Sequence, residues 1–183
     1  LSPLPTAAVP ILRRFEAIRA VVFDIYGTLI ISAAGDISLV SEEQSAMGMA
    51  EAIRLLGGTG EAGEVEEALL LYREEILRLQ ENKHSEGIEF PEIEIREVWK
   101  KIAKNFGWED QGVEDAALAY ECLVNPCWEM PGAGVLVEKL SQAGMKMGIV
   151  SNAQFYTRAV VLGVSGIDIK GNRFQPEWSV YSY

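Results

Sequence analysis

The stretch Val21-Val22-Phe23-Asp24-Ile25-Tyr26-Gly27-Thr28-Leu29-Ile30 constrains this chain more than any other. Ala20 to Phe23 is a short apolar run rich in β-branched residues. A run that short reads as a strand buried on both faces, as in a parallel sheet. It ends in Asp24, a residue type that a buried strand excludes unless it is paired. Gly27 lets the backbone turn sharply, and Thr28 is expected to hydrogen-bond back to the turn. A carboxylate at the carboxyl end of a parallel strand stands where open α/β sheets bind their ligands.

A second apolar run, Met145 to Val150, closes in Ser151-Asn152. If both runs are neighbouring parallel strands, Asp24 and the Ser151-Asn152 pair come side by side, about 5 Å apart on the scale of strand spacing. The hydroxyl and the amide can each donate a hydrogen bond to an anion. Taken alone, Ser-Asn after a strand is also an ordinary helix-capping sequence.

From Ser41 to Pro126 the pattern is helical. The first helix is expected over Glu42 to Leu56 and the second over Glu64 to Gln80, with Val65, Ala68, Leu69, Tyr72, Ile76 and Leu79 on one stripe. Glu81 to Gly87 reads as a polar connection. A third helix is expected from Pro91, its buried side set by Trp99, Ile102 and Phe106, with Gly107 as its stop. A fourth spans Val113 to Val124. Residues 33–126 thus form an all-helical insertion within an α/β core of residues 1–32 and 127–183. In that core Pro10 to Ile18 is a short helix or turn, Pro131-Gly132 opens a helix that ends at Gly144, Phe155 to Leu162 is helical, and Trp178 to Tyr183 is strand-like.

The first motif resembles that of the haloacid dehalogenase (HAD) superfamily, an apolar strand followed by Asp-x-Asp-Gly-Thr-Leu. Met147-Gly148-Ile149-Val150-Ser151-Asn152 resembles the second motif, and the helical insertion occupies the place of that family's C1-type cap. The resemblance implies a Rossmann-like parallel sheet with a helical cap, and a hydrolase whose covalent nucleophile is Asp24. It implies that Ser151 binds the transferred group or the substrate carboxylate, with Gly27, Thr28 and Asn152 as further substrate-binding positions. Mg²⁺ would be held by Asp24 and the backbone carbonyl of Tyr26 in a phosphatase; a dehalogenase needs no metal. Arg54, Arg73, Arg78 and His84 are candidate contacts to an anionic group, although most such charges only solvate a helix.

Tyr26 replaces the second Asp of the phosphatase motif. A phenol, with a reference pKa near ~10, is a poor general base at neutral pH. A halide departs without protonation, so Tyr26 suits a 2-haloacid dehalogenase; the prevalence of phosphatases in the superfamily keeps phosphate monoesters open. The alternative is a non-catalytic small-anion-binding protein on a degenerate site. The family's third and fourth motifs, a Lys and an acidic pair, would fall beyond Tyr183, so the chain is expected to continue past it.

Composition excludes other classes. The net charge of −11, from 27 acids and 16 bases, argues against a nucleic-acid surface but not against a small anionic substrate in a pocket with local donors. No apolar run reaches membrane-spanning length, and the start of the sequence has no signal-peptide pattern. Cys122 and Cys127 have no zinc-like spacing and read as free thiols. A cytoplasmic location is expected.

Overall fold

The computed structural model describes residues 8–9, 11, 15–33, 40–108 and 110–182. The fold is mixed α/β. Strand β1 (Ala20–Phe23) runs parallel to β4 (Lys146–Ser151) with Phe23 opposite Ile149, and β4 runs parallel to β5 (Val180–Tyr181) with Ser151 opposite Tyr181. The sheet order is β1-β4-β5. Phe23, Met147 and Ile149 point to one face and pack with Val137 of α5 (Ala133–Gln142) and Val161 of α6 (Thr157–Ser165) in a first core.

The other face corrects the expectation of a strand buried on both sides. Val22, Val150 and Val180 are 51%, 52% and 63% exposed. Val22 stands opposite Gly148, two residues before Val150, so the three valines share one face. Among the described residues α5 and α6 both pack on the opposite side. On this face Gly148 is covered by the 3-10 turn Pro176–Trp178, whose Trp178 backbone leaves no room for a Cβ. The β4 edge is completed by Gln175, whose N–H donates to the Met147 carbonyl at 2.8 Å, and by Ser179 Oγ, which accepts from the Ile149 N–H at 3.2 Å. Of the short helix or turn expected over Pro10 to Ile18, the described residues 15–19 form no helix and bend at Ala17 with φ 61°; Pro10 and residues 12–14 lie outside the described residues.

Two short strands carry the chain out of the sheet region and back. β2 (Ile30–Ser32) pairs antiparallel with β3 (Cys127–Glu129), Ser32 opposite Cys127. Between them stand α1 (Glu42–Leu55), α2 (Ala62–Ser85), α3 (Ile95–Phe106) and α4 (Val113–Val124). Ser41 opens α1 with a capping box to Gln44. The expected apolar stripes bury Val65, Ala68 and Tyr72 of α2 and Val98, Trp99 and Ile102 of α3 in a second core. Helix α2 runs past the expected stop at Gln80, because nothing from Glu81 to Ser85 breaks a helix and Gly87, at φ 88°, follows its end. Helix α3 begins four residues after Pro91, where the Glu94 carboxylate accepts the Arg96 N–H. Ile95 and Phe155 pack against both cores. No helix among the described residues is long and apolar enough to cross a membrane.

Candidate functional site

The turn after β1 is built on Ile25. Its side chain is fully buried, and its carbonyl accepts the N–H groups of Thr28, Leu29 and Ile30 at 3.1, 2.8 and 3.1 Å. Gly27, at φ 80°, donates its N–H to the Ile30 carbonyl at 2.8 Å. Thr28 therefore closes the turn through its backbone and not through its hydroxyl. With Ile25 anchored inward, Asp24 is left exposed, and among the described residues no ion pair or hydrogen bond holds its carboxylate.

Pairing of Phe23 with Ile149 brings the carboxyl ends of β1 and β4 to the same edge of the sheet. Ser151 is 6% exposed, and its hydroxyl donates to the Asn152 carbonyl at 3.3 Å. The Asn152 amide donates to the Glu92 carboxylate at 2.8 Å. Glu92 belongs to residues 91–94, between α2 and α3, and Gln154 clamps this segment: its amide nitrogen donates to the Ile93 carbonyl at 2.8 Å and its oxygen accepts the Ile95 N–H at 3.3 Å. Lys83 Nζ donates to the Glu92 carbonyl. The Arg96 guanidinium lies 5.0 Å above the Phe155 ring.

Tyr26 turns into the contact between sheet and helices. Its hydroxyl lies 3.3 Å from Thr157 Oγ1, which also accepts the Gln154 N–H at 3.0 Å. The Tyr156 hydroxyl donates to Glu121 of α4 at 3.1 Å, and Asn125 donates to the other carboxylate oxygen at 2.9 Å. Burial pushes the Glu121 carboxyl above the usual range, its two hydrogen bonds opposing in part. Burial first, and the Glu121 charge second, push the Tyr26 and Tyr156 phenols up, and the same two causes push the Cys127 thiol up to about 11. At neutral pH Tyr26 thus keeps its proton and can act only as a neutral hydrogen-bonding group. Cys122 and Cys127 are free thiols.

The cationic candidates are placed elsewhere. Arg54 pairs with Glu51 at 3.1 Å and Arg78 with Glu75 at 2.6 Å, each within its own helix. His84 is exposed near the end of α2. Arg73 lines a cavity of about 440 Å³ together with Tyr72, Tyr120 and Glu121. Glu92, Glu121, Gln154, Tyr156 and Thr157 are the site neighbours that the sequence reading misses. Their only local signal is the i,i+4 spacing of Glu121 on α4 and Asn125 at its carboxyl end.

Asp24 and the Tyr26 carbonyl offer two oxygens, where Mg²⁺ takes six. Among the described residues no three His, Cys, Asp or Glu side chains are grouped to hold a metal ion. These residues do not by themselves complete a magnesium site.

No protein-family model and no curated protein matches the sequence. Among solved structures, one described as a crystal structure of a dehalogenase aligns at 22% identity over 85% of this chain, with a TM-score of 0.36. The chain spans 60% of that protein's length. A superposition this loose adds no weight to a reading from the residues.

Proposed function

We propose that the protein is a HAD-like hydrolase in which Asp24 is the covalent nucleophile on a small anionic substrate. In this reading residues 1–32 and 127–183 are the catalytic core, and residues 33–126 are a helical cap hinged on the β2–β3 ribbon. The observation that carries the reading is the Asp24 carboxylate, exposed and without a partner among the described residues, at the carboxyl end of β1 beside the Ser151-Asn152 end of β4. A nucleophile needs a carboxylate that is not tied up by a neighbouring cation. Thr28, on the same turn, and Ser151 and Asn152, at the end of the neighbouring strand, are the donors that would hold the substrate's anionic group.

Tyr26 directs the choice of substrate. Its buried, protonated phenol is no general base, and the position lacks the carboxyl that would protonate an alkoxide leaving group. We therefore place a 2-haloacid ahead of a phosphate monoester. Asp24 displaces the halide: an Asp24 oxygen–carbon bond forms as the carbon–halogen bond breaks, and the halide leaves with the bonding pair. Water then hydrolyses the ester, releasing a 2-hydroxy acid and a proton and restoring the carboxylate.

The test is a panel of 2-haloacids and phosphate monoesters, assayed for halide and phosphate release with and without chelator. Halide release that chelator does not change, and that Asp24→Asn abolishes, is the expected result. Chelator-sensitive phosphate release would move the substrate to a phosphate monoester. Activity surviving in Asp24→Asn would refute the nucleophile. Absence of turnover on either class would leave a binding protein.

A further inference from the structure

We propose that Glu92 is a built-in competitor for the anion subsite, an autoinhibitory carboxylate that an anionic substrate must displace from Asn152. The inference rests on the reading of the Ser151-Asn152 end as that subsite. Asn152 has one side-chain amide to offer at the end of β4, and in the structure it is committed to Glu92 Oε1 at 2.8 Å. The contact spans 60 residues of sequence and joins the two parts of the molecule. A carboxylate hydrogen-bonded to an amide is chemically what a haloacid carboxylate would present to the same group. Glu92 thus opposes an anion in two ways: it takes one of the two N–H donors of the amide nitrogen, and its charge opposes a second anion close by.

Glu92 does not reach Asn152 by chance of a long side chain. The backbone on its C-terminal side is fixed by both ends of the Gln154 amide, at Ile93 and Ile95, and its own carbonyl accepts from Lys83. Phe155, under the Arg96 guanidinium and packed against both cores, adds an apolar contact to the same joint. The polar anchors at Ile93, Ile95 and the Glu92 carbonyl do not involve the Glu92 carboxylate. The side chain can therefore give up Asn152 to a ligand while the segment stays in place.

The test is equilibrium binding of propionate, which carries the carboxylate but no leaving group, followed by NMR at the Asn152 side-chain amide. In the wild-type protein propionate should shift the Asn152 amide resonances while leaving the Ile95 amide protected from hydrogen exchange. Glu92→Gln removes the charge and should bind propionate about 3- to 10-fold more tightly, an effect of the size expected for a partly exposed charged contact. Gln154→Ala should instead expose the Ile95 amide to exchange. Equal affinity in wild type and Glu92→Gln would overturn the proposal, as would a propionate titration that leaves Asn152 unshifted in both. Because no turnover is involved, failure of Asp24 as nucleophile in the release assays remains a separate result.

Discussion

Gly148→Ala tests the least expected part of the fold, the packing of the 3-10 turn on the sheet. A Cβ on Gly148 would lie 2.2 Å from the Trp178 carbonyl oxygen and 2.8 Å from its Cβ. Ordinary contact begins near 3.4 Å, so the seam must open by about 1 Å, and the oxygen is backbone that cannot rotate away. Two hydrogen bonds cross that seam, Gln175 N–H to Met147 O at 2.8 Å and Ile149 N–H to Ser179 Oγ at 3.2 Å. An opening of that size takes both out of range. At about 1 kcal/mol net for each bond, the substitution should cost about 2 kcal/mol. Urea unfolding should show a lower midpoint at unchanged slope. The emission of Trp178, whose ring lies under Lys146 Nζ at 5.2 Å, should also change. Gly163→Ala is the control: it sits inside α6 with nothing within 4 Å of its Cβ, and should stabilise by about 0.5–1 kcal/mol. Equal stability of Gly148→Ala and wild type would mean that Trp178 does not lie over β4.

Two further outcomes follow from the site. Gly27→Ala places a side chain at φ 80° and should cost about 1–2 kcal/mol in the same unfolding assay and, if Asp24 is the nucleophile as proposed, a larger proportional loss of turnover; an unchanged midpoint refutes the strained turn. Glu121 holds its proton more tightly in the folded chain than in the unfolded one. Its contribution is complete below the ordinary carboxylate range and is lost as pH rises through its raised folded value. Glu121→Gln should flatten that decline between acidic and neutral pH, and an unaltered slope would assign the decline to other groups.

The elements that were legible in the sequence are those whose burial follows from local pattern. The apolar runs at β1 and β4 and the stripes of α2 and α3 require only that like residues fall on one face, and the structure buries Phe23, Ile149, Tyr72 and Trp99 accordingly. Val22 looks the same as its neighbours in sequence, yet it is half exposed, because burial of its face depends on elements distant in the chain. The start of α3 depends on a cap at Glu94 that Pro91 outranks on propensity alone. In the candidate site Asp24, Gly27 and Ser151 are legible because each ends a strand or makes a turn. Glu121 and Glu92 are not, since a single acid on a helix or a loop carries no sign of the partner that the fold brings to it.

The chain after Ser151 explains why Tyr26 and the helices belong to one unit. Asn152, Gln154, Phe155 and Tyr156 meet Glu92, the 93–95 backbone, Arg96 and Glu121 respectively, so one short loop reaches both α3 and α4. Thr157, the next residue, meets Tyr26 and is itself held by the Gln154 N–H. The connection through β2 and β3 is a narrow ribbon with three residue pairs, which resists bending far less than a packed core does. A rotation of the helices about that ribbon must therefore either break the contacts of this loop or drag it along. Either way the displacement reaches Asn152 on one side and, through Gln154 and Thr157, the Tyr26 hydroxyl on the other. Position of the helical part and that of the Tyr26 hydroxyl are thus coupled through Asn152 and the four consecutive residues Gln154, Phe155, Tyr156 and Thr157, without any need for a longer path across the sheet.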